Sequence, residues 1–152
     1  MRRNSCFFIG HREASKKIYP NLLAEIERHI VELGVTEFIV GHYGGFDRLA
    51  TQAVLAAKQV HADVGLSLLL PYYSPESSMG RLDDFDHVYY PPGMETVPRR
   101  LAIVKANRYL VDHVDYLIAY AWHPASNALQ LLEYAQKRAQ KGLLTVTVLQ
   151  GG

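Results

Sequence analysis

Phe7-Phe8-Ile9-Gly10-His11-Arg12 and Phe38-Ile39-Val40-Gly41-His42-Tyr43 decide the fold: each is a short apolar run ending in a Gly-His corner, and each precedes a helix-like segment. Short runs that are apolar throughout predict strands buried on both faces. Two of them, each followed by a helix, predict βαβ units with a parallel sheet. Both Gly-His corners then open at the carboxyl edge of the sheet, the edge where open α/β sheets bind their ligands.

The same alternation runs outward from these two stretches. Cys6 to Ile9 reads as a first strand. Leu22, Ile26, Ile30 and Leu33 mark a helix, with Pro20 suited to its first turn and Gly34 to the position past its end. Thr36 to Val40 is the second strand, and Leu49, Ala50, Ala53, Val54, Ala57 and Val60 form the apolar face of a second helix. Val64 to Leu70 is a third strand stopped by Pro71. Tyr72 to Pro98 is an irregular excursion holding four of the seven prolines, with a small strand expected at Val88 to Tyr90. Arg99 to His113 is helical, Tyr116 to Tyr120 a strand, Asn127 to Lys141 a helix closed by Gly142, and Leu144 to Leu149 the last strand. The expected fold is α/β: a single Rossmann-like domain over residues 1–152, with a doubly wound, mostly parallel sheet and helices on both faces.

Composition narrows the class of function. A chain of 152 residues with 49% hydrophobic and 20% charged residues has the composition of one packed domain and not that of a tail or a disordered linker. The formal charge of +1, without a Lys/Arg block, makes nucleic acid an unlikely partner. Cys6 is the only cysteine, which excludes an internal disulfide and a cysteine zinc site and fits a reducing cytoplasm. The apolar run after Met1-Arg2-Arg3 is too short for a signal peptide or a membrane span, so a cytoplasmic protein without membrane contact is expected.

Candidate binding residues cluster at the corners. Gly10, Gly41, Gly44 and Gly45 permit close backbone approach, and the helices that follow are expected to aim unpaired N–H groups at an anion. Arg12 adds a bidentate guanidinium, and His11 and His42 donate hydrogen bonds or titrate near neutrality. Asp47, in the first turn of the second helix, either caps that helix or accepts from a ribose or base. In the helix from Arg99 to His113, Leu101, Ile103, Val104, Leu110, Val111 and Val114 are expected to face the sheet. Asn107 and Arg108 fall within the same stripe, so Arg108 snorkels, pairs with Asp112, or reaches a ligand anion; the ligand is the favoured reading. Tyr72, Tyr73, Tyr120 and Trp122 place aromatic rings at the same edge, where a base can stack. Seven histidines show no His-x-x-x-His spacing, and no metal site is expected. No Gly-x-Ser-x-Gly, Walker or Gly-x-Gly-x-x-Gly pattern occurs at these corners, and no catalytic residue is assigned.

Phe8-Ile9-Gly10-His11-Arg12, Gly44-Gly45-Phe46-Asp47-Arg48-Leu49-Ala50 and Asn107-Arg108-Tyr109-Leu110-Val111-Asp112, in that order, resemble the YpsA-like proteins of the SLOG (Smf/DprA and LOG) superfamily over nearly the whole chain. The resemblance implies a Rossmann-like fold and a pocket for a nucleotide or nucleotide-derived molecule, ADP-ribose-like ligands included. Its relatives include cytokinin-activating phosphoribohydrolases and a DNA-processing protein. It also implies a homodimer. One motif departs from the family: where a Gly-Gly-Thr turn is usual, this chain has Ser126-Asn127-Ala128 after His123-Pro124-Ala125, and Gln130 stands where the phosphoribohydrolases carry a glutamate. Ser126 is still expected to cap the helix and donate one hydrogen bond, but a general acid or base is missing. The expected function is therefore a sensor, carrier or regulator that binds a nucleotide-derived ligand through Gly10, His11, Arg12, His42, Gly44, Gly45, Asp47, Asn107, Arg108 and Ser126. An N-glycosidase acting on a nucleoside monophosphate is the alternative, and single-stranded DNA binding the third reading.

Overall fold

A computed structural model describes residues 4–41, 44–71 and 84–150. Six strands form one sheet: β1 (Ser5–Gly10), β2 (Glu37–Val40), β3 (Gly65–Leu69), β4 (His87–Tyr89), β5 (Tyr116–Tyr120) and β6 (Thr145–Val148). Among the described residues the α-helices that connect them are α1 (Tyr19–Val31), α2 (Gly45–Lys58), α3 (Arg99–His113) and α4 (Asn127–Gln140). The strand order is β4-β3-β2-β1-β5-β6 and every pairing is parallel. The fold is a Rossmann-like, doubly wound α/β sheet, as the alternation of elements predicted. Strands expected from apolar runs begin and end within one residue or so of the observed ones, and the helix from Arg99 to His113 has the expected bounds.

Alternation within each buried strand sends successive side chains to opposite layers. Cys6 and Phe8 of β1, with Ile118 and Tyr120 of β5, pack against Leu22 and Ile26 of α1 and Phe46, Ala50 and Val54 of α2. Phe7 and Ile9, with Leu117 and Ala119, pack against Ala102, Ala106 and Leu110 of α3 and Leu132 and Ala135 of α4. Cys6 is wholly buried, and burial holds its thiol well above the usual cysteine range, so it acts as a small hydrophobe.

The sheet-facing stripe of α3 differs from the expected one. Ala102, Ala106, Leu110 and Val111 are buried, whereas Leu101 and Val104 are 48% and 45% exposed. Alanines at successive turns let the helix axis approach the sheet closely, so this narrow stripe wins over the larger apolar residues beside it. The described part of the excursion also contributes structure. β4 is the expected small strand, shifted by one residue and added as an exposed edge, and Met94 plugs the α3–α4 layer. Asp86 fastens this edge: its carboxylate accepts from the Leu66 amide at 2.8 Å and from Lys58 Nζ at 2.5 Å.

Candidate functional site

Winding from β1 to β4 fills one side of β1, and the chain then crosses to lay β5 and β6 on the other side. The reversal point is therefore the pair β1 and β5, the place where loops diverge and leave a crevice at the strand ends. A cleft of about 600 Å³ lies there. Gly10, His11, Arg12 and Glu13 line it from the end of β1, Gly41 and Asp47 from the β2–α2 corner, and Trp122, His123 and Ser126 from the end of β5. Arg100, Ile103, Val104 and Asn107 of α3 face Asn127, Ala128 and Leu131 of α4 across its apolar side. The size is that of a small-molecule site.

Glycines at the corners serve chain packing as well as the cleft. A Cβ on Gly10 would lie 2.3 Å from the Phe46 ring, and one on Gly41 would lie 2.8 Å from Asp47 Oδ2. Phe46 thus seats the first turn of α2 on the end of β1, and the missing side chain at position 41 makes room for the Asp47 carboxylate over the end of β2. Only Gly44, of the glycines assigned to the site, has a positive φ, +148°; a Cβ there would also meet Arg12 Cα at 2.8 Å. Gly44 and Gly45 stand behind Arg12 and are not part of the cleft lining.

The start of α2 does not offer the expected free N–H groups. Gly45 N–H donates to the Arg12 carbonyl at 2.6 Å and Phe46 N–H to the His11 carbonyl at 3.3 Å. Loop backbone after β1 therefore caps the helix that an anion was expected to cap. At α4 the situation differs. Ser126 Oγ accepts from Leu129 N–H at 3.1 Å, as expected of a cap, and its hydroxyl donates to the His123 carbonyl at 2.9 Å. The hydroxyl proton expected for a ligand is spent inside the turn. Asn127 and Ala128, the first two residues of α4, line the cleft, and their N–H groups have no hydrogen-bond partner among the described residues.

His11 joins the two strand ends. Its Nε2 accepts from the Trp122 N–H at 2.8 Å and from the His123 N–H at 3.1 Å. The ring is therefore the neutral tautomer with its proton on Nδ1. Burial, and then the charge of a protonated His123, hold its pKa below the usual histidine value. Neutrality and acceptance agree.

Asn107 reaches the cleft, but Arg108 does not line it. The guanidinium of Arg108 lies 4.1 Å from the centroid of the Tyr134 ring, on the outside of α3 and α4. Asp112, the expected ion-pair partner, is engaged elsewhere: Tyr134 donates to it at 2.5 Å and Arg138 lies 3.5 Å from it. A flat ring is a good seat for a partly hydrated guanidinium, which settles the choice among snorkelling, pairing and ligand contact in favour of an outward stack. The cation that α3 presents to the cleft is Arg100, missed in the sequence although it stands seven residues before Asn107 on the same face. Glu13 and His123 were also missed, and both follow directly from the corners to which they belong. His42, Tyr72 and Tyr73 lie outside the described residues.

Charged lining residues come in two signs: guanidiniums at Arg12 and Arg100, carboxylates at Glu13 and Asp47. Arg12 and Arg100 form no ion pair among the described residues. Among the described residues no group of three or more His, Cys, Asp or Glu side chains could hold a metal ion, and no helix is long and apolar enough to cross a membrane. The chain matches no protein-family model and no curated protein.

Proposed function

We propose that this protein binds a nucleotide or nucleotide-derived ligand in the cleft between β1 and β5, as a cytoplasmic sensor, carrier or regulator of the YpsA-like SLOG kind. The observation that carries the reading is the composition of one cleft at the topological switch point. It joins the guanidiniums of Arg12 and Arg100 and the amides at the start of α4, which suit a phosphate, to the Asp47 carboxylate and Asn107, which suit sugar and base donors. A simple anion would engage only the cationic part of a lining whose formal charges cancel. A molecule with an anionic end and a hydroxyl-rich end matches both, and Ile103, Val104 and Trp122 supply an apolar wall for a base.

A thermal-shift panel of nucleoside monophosphates, dinucleotides and ADP-ribose tests this. At one hundred times its dissociation constant a ligand adds about 2.7 kcal/mol, or roughly 5–10 °C in midpoint for a domain of this size. Absence of a shift with every member of the panel at millimolar concentration would remove the reading.

A second reading draws on Glu13 and Asp47, two carboxylates in one cleft, which supply candidates for proton transfer in N-glycoside hydrolysis. Release of free base from a nucleoside monophosphate, lost in both Glu13→Gln and Asp47→Asn, would favour the enzyme over the binder.

A further inference from the structure

Two consecutive backbone N–H groups, those of Trp122 and His123, converge on one atom, His11 Nε2. Successive amides aimed at a single point form a concave donor pair of the kind that holds anions and oxyanions. In this protein an imidazole from across the switch point fills that place. A proton on Nε2 would set a donor against two donors, and the arrangement would not survive it.

Building on the reading that the cleft takes a ligand with an anionic group, we propose that His11 is a proton-operated stopper: neutral, it occupies the Trp122–His123 amide pair; protonated, it withdraws and yields the pair to an anionic oxygen of the ligand. Little besides these two hydrogen bonds holds the ring. It is only partly buried, its Nδ1 has no hydrogen bond among the described residues, and it meets Tyr120 and Trp122 edge-on, with centroids 5.9 and 5.1 Å away. Withdrawal breaks two hydrogen bonds and the edge-on contacts with Tyr120 and Trp122.

The charges around the ring set the direction of the switch. Arg12 and Glu13 adjoin it in its own loop, His123 faces it from the loop after β5 at a centroid distance of 6.3 Å, Asp47 comes from α2 and Arg100 from α3. Tyr120 is the titratable neighbour from β5. Burial, and then the charge of a protonated His123, oppose the proton, so the stopper is closed at neutral pH and opens on the acid side. A bound anion does the reverse, favouring the imidazolium beside it, so anion binding and protonation are linked and each promotes the other.

Sulfate is the probe, because its charge is constant between about pH 5 and pH 8 while the histidine state changes. It is titrated into isotopically labelled protein with the Trp122 and His123 amide resonances as the readout. The wild type should bind more tightly towards the acid end, by up to about tenfold for each pH unit, the limit for one linked proton. His11→Ala removes the stopper and should bind tightly at both ends of the range. His11→Gln keeps an acceptor oxygen near the position of Nε2 without the titration, and should stay weak throughout; it also serves if His11→Ala does not fold. Sulfate that leaves both amides unshifted, or an equal pH response in wild type and His11→Gln, overturns the proposal. The two readings fail separately. Gated sulfate binding with no response to any nucleotide removes the nucleotide reading alone, and nucleotide binding with the same pH dependence in wild type and His11→Gln removes the stopper alone.

Discussion

The ring of Phe46 occupies the space that a side chain on Gly10 would fill: a Cβ at position 10 would lie 2.3 Å from Phe46 Cγ and Cδ2. Phe46 is fully buried, stacks on Tyr120 at 5.9 Å and meets Phe8 edge-on at 6.4 Å. The first turn of α2 is thereby fixed on the ends of β1 and β5, and Asp47, the next residue, is delivered to the cleft floor.

Gly10→Ala should therefore act as overpacking of the core. The expected loss is about 1–3 kcal/mol in urea denaturation. Gly10→Ala combined with Phe46→Leu should be less unstable than the sum of the two single changes, because the residues share one space. Additive losses would show that the overlap is relieved elsewhere.

Gly41→Ala should separate ligand binding from stability. The Cβ it adds meets the far end of the Asp47 side chain at 2.8 Å, and the carboxylate has to leave its place over β2. Gly41→Ala and Asp47→Asn should weaken the thermal-shift response to the same nucleotide by similar factors. The stability of Gly41→Ala without ligand should change by less than about 1 kcal/mol. A full ligand response in Gly41→Ala would take Asp47 out of the site.

Arg100 should carry the ligand contact that the sequence suggests for Arg108. Arg100→Ala is expected to weaken ligand binding about tenfold or more, in line with a lost charge-assisted hydrogen bond of about 1.5–3 kcal/mol. Arg108→Ala should leave the affinity unchanged and cost about 0.5–1 kcal/mol of stability through the lost stack on Tyr134. Isothermal titration and urea melts of the two variants decide between these assignments.

Acid should weaken the fold through His29. Its side chain is fully buried, Nδ1–H donates to the Glu25 carbonyl at 2.7 Å, and Nε2 has no partner among the described residues. Burial holds its pKa below the usual histidine value. The unfolded chain therefore takes up this proton first, and stability falls as pH drops below about 6.5, continuing until the lower folded-state pKa is reached. Urea midpoints measured from about pH 8 to about pH 5 should fall in the wild type and fall less in His29→Leu.

Much of the architecture was legible because its signals are local. Apolar runs such as Phe7 to Ile9 and Tyr116 to Tyr120 read directly as buried strands, and the spacing of Leu22 and Ile26 as one helix face. The face of α3 was harder to read. Its turn-by-turn alanines, Ala102 and Ala106, carry less hydrophobic signal than Leu101 and Val104, and only close packing on the sheet reveals which set goes inside. The same rotation explains the site: it turns Arg100 and Asn107 to the cleft and Arg108 to Tyr134.

By itself the sequence determined the order of elements, the buried character of the strands and the presence of two glycine corners, since each depends on residues close together along the chain. Tertiary structure alone decided which groups meet. β1 lies beside β5, so His11 reaches amides 111 and 112 residues away, and the N–H groups of Gly45 and Phe46 find loop carbonyls in place of a ligand. Strand order and helix rotation are set by the joint packing of two layers on one sheet, a property of the whole core that no single stretch encodes.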